Sequence, residues 1–260
     1  MPYLDHPWVW PAVLAGGLAA GFIDSIAGGG GLITLPVLLA AGLPPHLALG
    51  TNKVQSVFGS GTAAWRYGRG GLIPWRTIWV GVAMSLVASF LGAWTVRKID
   101  ASALESILPF ILIALWFYIA LKKDLGETGE YSRMRPGLFY PAAGTLIGFY
   151  DGFLGPGTGS FWTVSQVTLA GMDLKRATAA TKPLNFASNF GALAFFFIAG
   201  QTVFAVGLVM AAGQIAGAWM GSHLVIRHRP RFIRPFFLTA VAATVLKLLW
   251  DRYGHLLAGA

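Results

Sequence analysis

Gly21-Phe-Ile-Asp-Ser-Ile-Ala-Gly-Gly-Gly-Gly31 and Gly148-Phe-Tyr-Asp-Gly-Phe-Leu-Gly-Pro-Gly-Thr158 are two versions of one pattern. Each has Gly-Phe-x-Asp, a glycine cluster beginning four residues after the Asp, and then a short apolar segment. Asp24 and Asp151 each stand alone between long uncharged stretches. A carboxylate is costly in hydrocarbon, and glycines interrupt spanning helices. Finding both features twice points to a substrate pathway built by duplication.

The surrounding chain sets the solvent. Of its 260 residues, 55% are hydrophobic and only 11% charged, against about 25% charged in a soluble domain. Mean hydropathy is +0.64. From Pro183 to Ile226 there is no Lys, Arg, Asp or Glu, enough for two spans of about 20 residues each. The apolar runs are continuous and do not alternate, so the spans are helices and not barrel strands. The sequence predicts an all-α integral membrane protein. The net charge of +9 fits basic inner loops better than nucleic-acid binding. Cysteine is absent, which excludes disulfide and thiol chemistry. No basic residue precedes the first apolar run, so that run is expected to stay as a span and not to be cleaved.

The duplication extends beyond the Asp pattern. Ala41-Gly42 matches Ala170-Gly171, Asn52-Lys53 matches Thr181-Lys182, Gly92-Ala-Trp94 matches Gly217-Ala-Trp219, and Pro109 matches Pro235. The near-constant offset predicts two copies of one unit: a first transmembrane repeat over 1–124, a cytoplasmic linker over 125–135 and a second repeat over 136–260. Each unit reads as five apolar segments, about ten in all. They lie near 7–23, 30–44, 53–66, 76–96 and 104–121, then 137–151, 157–172, 182–199, 203–226 and 232–250. The second segment of each unit is short and glycine-broken, and the third is short in the first unit.

Five crossings per unit invert the second copy. Basic-residue placement tests this. With the central loop inside, fourteen Lys and Arg lie inside, while Lys53, Arg97, Lys98 and Arg252 lie outside and Lys247 falls within the last span. Re-entrant short segments would instead give parallel repeats and a flatter charge split. The expectation is the inverted arrangement with both termini outside.

Candidate functional residues follow from the interruptions and the polar stripes. Gly29 and Gly30 in one copy, and Gly157 and Thr158 in the other, sit where a broken helix exposes backbone N–H groups to an anion; close helix packing is the alternative. Asn52, Gln55, Ser56 and Gly59 recur at helical spacing on one face, and Thr181, Asn185, Ser188 and Asn189 form the matching stripe. Such a stripe faces a water-filled path or bonds neighbouring helices. Lys53 and Lys182 occupy equivalent positions. They attract an anion, pair with Asp24 and Asp151, or are helix-end lysines reaching toward water. Asp24 and Asp151 relay protons, cap the short helices or neutralise the lysines. Trp162 and Gln166, one turn apart, are candidates to line the site; Trp162 is equally a packing residue. His223 reads as a hydrogen-bonded structural residue.

No Gly-x-Ser-x-Gly, His-Glu-x-x-His or zinc-ligand spacing is present, and the absence of a P-loop argues against a built-in ATPase. The chain therefore reads as a non-enzyme with no cofactor or metal.

Gly21 to Pro36, followed by Ala48-Leu-Gly-Thr-Asn-Lys53, resembles the sulfite exporter TauE/SafE family, also called the toluene-sulfonate uptake permeases. The likeness covers both repeats. Pro156 within the second glycine cluster, and Thr181 where the first copy has Asn52, depart from a strict duplication, so the half-sites are expected to differ. The resemblance implies a bacterial inner-membrane carrier of sulfur-containing anions such as sulfite, sulfoacetate, other sulfonates or thiosulfate. It implies export; the broken helices and polar stripes themselves place the expected anion site near the midplane, where Asn52, Gln55, Asn185 and Asn189 donate hydrogen bonds and Lys53 and Lys182 supply positive potential. Expected partners are a small anion and membrane lipids, with no nucleic acid. The oligomeric state is not legible, and a homodimer is one arrangement it allows. An anion channel, a carrier of non-sulfur anions and a membrane-embedded sulfur-metabolism enzyme are the competing readings.

Overall fold

In a computed structural model, residues 7–98 and 134–228 are described, together with Thr239 and Trp250. The predicted segments at 104–121 and 232–250 and most of the linker lie outside the described residues. The described chain is helical and has no strand. In order the helices are α1 (Val9–Ala27), α2 (Gly31–Ala40), α3 (Pro45–Arg69), α4 (Trp75–Val96), α5 (Pro136–Phe153), α6 (Thr158–Thr168), α7 (Leu174–Ile198) and α8 (Phe204–Arg227).

The breaks are where the glycines put them. Gly28 closes α1 with φ 77°, and Gly155 and Gly157, at 92° and 80°, turn the chain from α5 into α6. These are left-handed conformations that only glycine adopts cheaply. The helices after the turns are short, 10 residues in α2 and 11 in α6. Among the described residues, α1, α4 and α8 are long and apolar enough to cross a membrane, with mean hydropathy 1.5, 1.7 and 1.5.

One expectation is corrected. The third segment is not short in the first copy: α3 and α7 both have 25 residues. Apolar-run reading started them at Lys53 and Lys182, but each lysine is the ninth residue of its helix. The missed starts carry ordinary helix signals. Pro45 stands at the first turn of α3, and Asp173 caps α7 by accepting the Arg176 N–H at 2.9 Å. Lys53 and Lys182 are therefore interior residues and leave the loop-charge count.

Packing is inside-out relative to a soluble protein. α3 and α7 bury Asn52, Lys53, Gln55, Lys182, Asn185 and Asn189, while Phe58, Trp65, Phe186, Phe190 and Phe197 are exposed. Large apolar side chains on the outside and polar ones on the inside suit a lipid surround. Glycines let the helices close: a Cβ on Gly217 would lie 2.0 Å from the Leu18 carbonyl, and one on Gly92 2.1 Å from that of Phe149.

The helix contacts cross between the copies. α1 packs most heavily on α8, and α5 on α4; α3 packs on α8 as α7 packs on α4; α3 and α7 pack on each other. Exchanging α1 with α5, α3 with α7 and α4 with α8 leaves this pattern unchanged. The tips of the two broken hairpins meet at the centre. A Cβ on Gly28 would sit 2.3 Å from the Gly159 Cα, and one on Gly159 2.4 Å from the Gly28 Cα.

Candidate functional site

The central contact is a pair of crossed ion pairs. Lys53 on α3 donates to Asp151 on α5 at 2.8 Å, and to the Asp151 backbone carbonyl at 2.7 Å. Lys182 on α7 donates to Asp24 Oδ2 on α1 at 3.2 Å, and also to the Asp24 carbonyl. Each lysine thus takes both its counter-charge and a backbone acceptor from the other copy's Asp pattern. Pairing, one of the roles open for these four residues, is the arrangement the side chains adopt here. Asp24 also accepts the N–H of Gly30, the residue before α2, at 3.3 Å, a weak version of the capping role.

A cavity of about 20 Å³ lies between the pairs. Asp24, Asn52, Lys53, Ser56, Asp151, Thr158, Asn185 and Asn189 line it, with Gly28, Gly31, Gly155 and Gly159. Gly31 and Gly159 lie in the first turns of α2 and α6, where backbone N–H groups have no helix acceptor. Positive helix ends therefore approach the cavity from both copies.

The amides are held differently. Asn52 Oδ1 accepts from the Thr34 hydroxyl and, at 2.8 Å, from Gln55 Nε2. That fixes the amide and leaves its NH2 group on the cavity side, near Gly31. The equivalent position in the second copy is Thr181, whose hydroxyl meets Thr163 at 3.1 Å and Gln166 at 2.9 Å. Thr34 and Thr163 were missed from the sequence, although their offset equals that of Asn52 and Thr181. The Asn185 side chain makes no hydrogen bond among the described residues, and its Oδ1 is buried without a partner. A buried amide without a partner costs about 1–3 kcal/mol.

Several sequence candidates are not on the cavity wall. Gly29, Gly30 and Gly157 are buried in the turns, while their neighbours Gly28, Gly31, Gly155 and Gly159 face the space. Gln55 stands behind Asn52 as its support. Lys182 lies behind Asp24. Trp162 is fully buried and packs edge-on to Phe139 with ring centroids 6.5 Å apart; it is a core residue of α6. Gln166 braces Thr181. His223 accepts from Arg66 at 3.2 Å, and the Arg66 guanidinium lies 4.0 Å over the Trp219 ring, so its role is structural. Ser188 was read only as part of the stripe, yet its hydroxyl donates to Asp151 Oδ2.

A polar cavity closed by broken helices inside an apolar helical bundle is the construction of a membrane transport protein. The chain belongs to the TauE family, described as Sulfite exporter TauE/SafE, whose profile matches residues 13–248. It is 45% identical over 232 residues to the probable membrane transporter protein ORF9 of Sinorhizobium sp, covering 89% of each chain. It is 44% identical over 238 residues to the probable membrane transporter protein YfcA of Escherichia coli K12, covering 92% of this chain and 88% of that one. A Haemophilus influenzae probable membrane transporter protein is 39% identical over 236 residues, covering 91% and 92%. No solved structure gives a significant match. The chain is thus a transporter and not an enzyme, and its place is the bacterial inner membrane.

Proposed function

We propose that the chain is a carrier that exports small sulfur-containing anions such as sulfoacetate, other sulfonates or sulfite across the inner membrane. The observation that carries this reading is the cavity between Asn52 and Asn185. It offers amide and hydroxyl donors and two helix N-termini, the groups a sulfonate or sulfite oxygen accepts from. It lacks the apolar lining that a hydrocarbon tail would need.

Residues 1–124 and 136–260 act as the two repeats and 125–135 as the cytoplasmic linker, with the second repeat inverted. The exchange-symmetric helix contacts support this division. The cavity in this state has room for about one water molecule, so an anion enters only when the repeats move apart. That suits alternating access by rocking one repeat on the other. A channel would need a continuous path past the touching Gly28 and Gly159.

The test is the thermal stability of the detergent-purified protein against sulfite, thiosulfate, sulfoacetate, taurine, sulfate and acetate. A ligand of the folded form raises the melting temperature. A rise with a sulfur oxyanion that is absent in Asn52→Ala supports the reading. A rise with acetate alone moves the substrate class to carboxylates.

A further inference from the structure

Four ionisable side chains meet at the junction: Asp24, Lys53, Asp151 and Lys182. Their formal charges sum to zero. An anion added to a buried neutral set is an uncompensated charge, which is costly in a low dielectric. The set stays neutral if one carboxylate takes up a proton as the anion arrives.

The two carboxylates are not equivalent for this purpose. Asp151 Oδ1 accepts from Lys53 at 2.8 Å and Oδ2 accepts from Ser188, while the Thr158 hydroxyl lies 3.2 Å from Oδ1 and 2.6 Å from the Gly155 carbonyl that it also reaches. Lys53 places its remaining protons on the Asp151 carbonyl and on Asn189 Oδ1 at 3.2 Å. The charge of Asp151 is therefore held by a close ammonium on one oxygen and a hydroxyl on the other. Asp24 is held by one N–H at 3.3 Å and one ammonium at 3.2 Å. Among the described residues no hydroxyl donates to it, because Gly31 and Gly59 occupy the first-copy positions that correspond to Thr158 and Ser188. Its side chain is 13% exposed, against 3% for Asp151, and it lines the cavity.

Among the described residues, the groups around Asp24 are these. α7 supplies Lys182, and α3 supplies Lys53 across the cavity and Tyr67, whose hydroxyl is spent on the Ser25 carbonyl at 2.7 Å. α5 supplies Asp151. α2 and α6 carry no ionisable side chain. On α8 the only ionisable groups are His223, engaged by Arg66, and Arg227, both near its C-terminal end.

We propose that Asp24 takes up one proton for each anion bound, so that proton and anion travel together. This rests on the transport reading above. The proton comes from water on the side where the anion enters and leaves with it. Neutral Asp24 removes one negative charge from the cavity wall, and the anion takes its place in the charge balance. Because linkage is reciprocal, protonation and anion binding strengthen each other by the same factor.

The experiment uses methanesulfonate, whose single negative charge is constant between about pH 5.5 and about pH 8, and reads its Kd for the purified protein across that range. The expected result is affinity that tightens by up to about tenfold per unit fall in pH, the limit for one linked proton. In Asp24→Asn, which mimics the protonated form, the dependence on pH disappears. A pH-independent wild-type Kd, or a slope retained in Asp24→Asn, overturns the proposal. Should Asp24→Asn not fold, wild-type vesicles enclosing a pH dye decide it: an inward methanesulfonate gradient acidifies the lumen, and methanesulfonate uptake without acidification overturns the coupling. Failure of every anion in the panel and of methanesulfonate to bind at any pH overturns the sulfur-anion reading of the cavity, and the coupling with it.

Discussion

Lys53 and Asp151 lie 98 residues apart in sequence and 2.8 Å apart in space, with side-chain exposures of 2% and 3%. The pair joins the third helix of one copy to the Asp pattern of the other. Removing one partner strands a buried charge, which costs about 3–5 kcal/mol. Lys53→Met and Asp151→Asn are each expected to lower thermal stability in detergent by an amount of that order. The double variant should lose less than the sum of the two, with a coupling of about 1–3 kcal/mol. Additive losses would mean that the pair does not act as a unit.

Lys182 and Asp24 form the looser partner of that pair. At 3.2 Å, with Asp24 13% exposed, the stranded charge in Lys182→Met has some access to water. The expected loss of stability is smaller than for Lys53→Met. Equal or greater loss, measured side by side, would contradict the assignment of Lys53–Asp151 as the tighter contact.

Asn185 makes no side-chain hydrogen bond among the described residues while lining the cavity. Truncating it removes no internal bond. Without ligand, Asn185→Ala should therefore have an unfolding free energy no lower than that of wild type, because the amide it removes is buried without a partner at a cost of about 1–3 kcal/mol. Its affinity for the transported anion should fall about tenfold, the worth of one hydrogen bond to a charged group. Asn52→Ala should lose affinity and also about 1 kcal/mol of stability, because Thr34 and Gln55 lose their acceptor. Isothermal titration together with unfolding curves separates the two effects.

Trp162 provides the opposite case. It is fully buried against Phe139, its Nε1 has no partner, and it does not reach the cavity. Trp162→Phe should cost about 1 kcal/mol in packing and leave anion affinity unchanged. A marked loss of affinity with stability intact would return Trp162 to the site.

How much of this was readable beforehand depends on range. The breaks at Gly28 and Gly155 are local: glycines beside an isolated Asp force a turn, and the turns are there. The duplication was readable because Asp24 and Asp151 are rare residues in an apolar chain. The cross-pairing was not fixed in advance, since Lys53 can reach a carboxylate in its own copy or the other, and only tertiary packing chooses. The start of α3 was lost because His46 to Asn52 breaks the apolar run. Helices that bury a polar face against each other have no hydropathy signal there. A run of four glycines carries no information on which N–H faces inward, so Gly28 and Gly31, which line the cavity, cannot be told from Gly29 and Gly30 by sequence.

Gly159 tests whether the contact between the hairpin tips matters to the whole assembly. Its backbone does not require a positive φ, so alanine is acceptable locally. Sterically it is not: the added Cβ would lie 2.4 Å from the Gly28 Cα and 3.1 Å from Asn185 Nδ2. Backbone on one side cannot yield without separating α1 from α6. Gly159→Ala should cost about 1–3 kcal/mol as an overpacked contact. It should also weaken anion binding, because the same methyl group crowds the Asn185 amide. Gly71→Ala is the control, since nothing lies within 4 Å of its Cβ position. Its positive φ of 67° makes the substitution cost about 1 kcal/mol through the backbone alone. If the two variants lose equal stability and keep equal anion affinity, the tips do not hold the repeats in register.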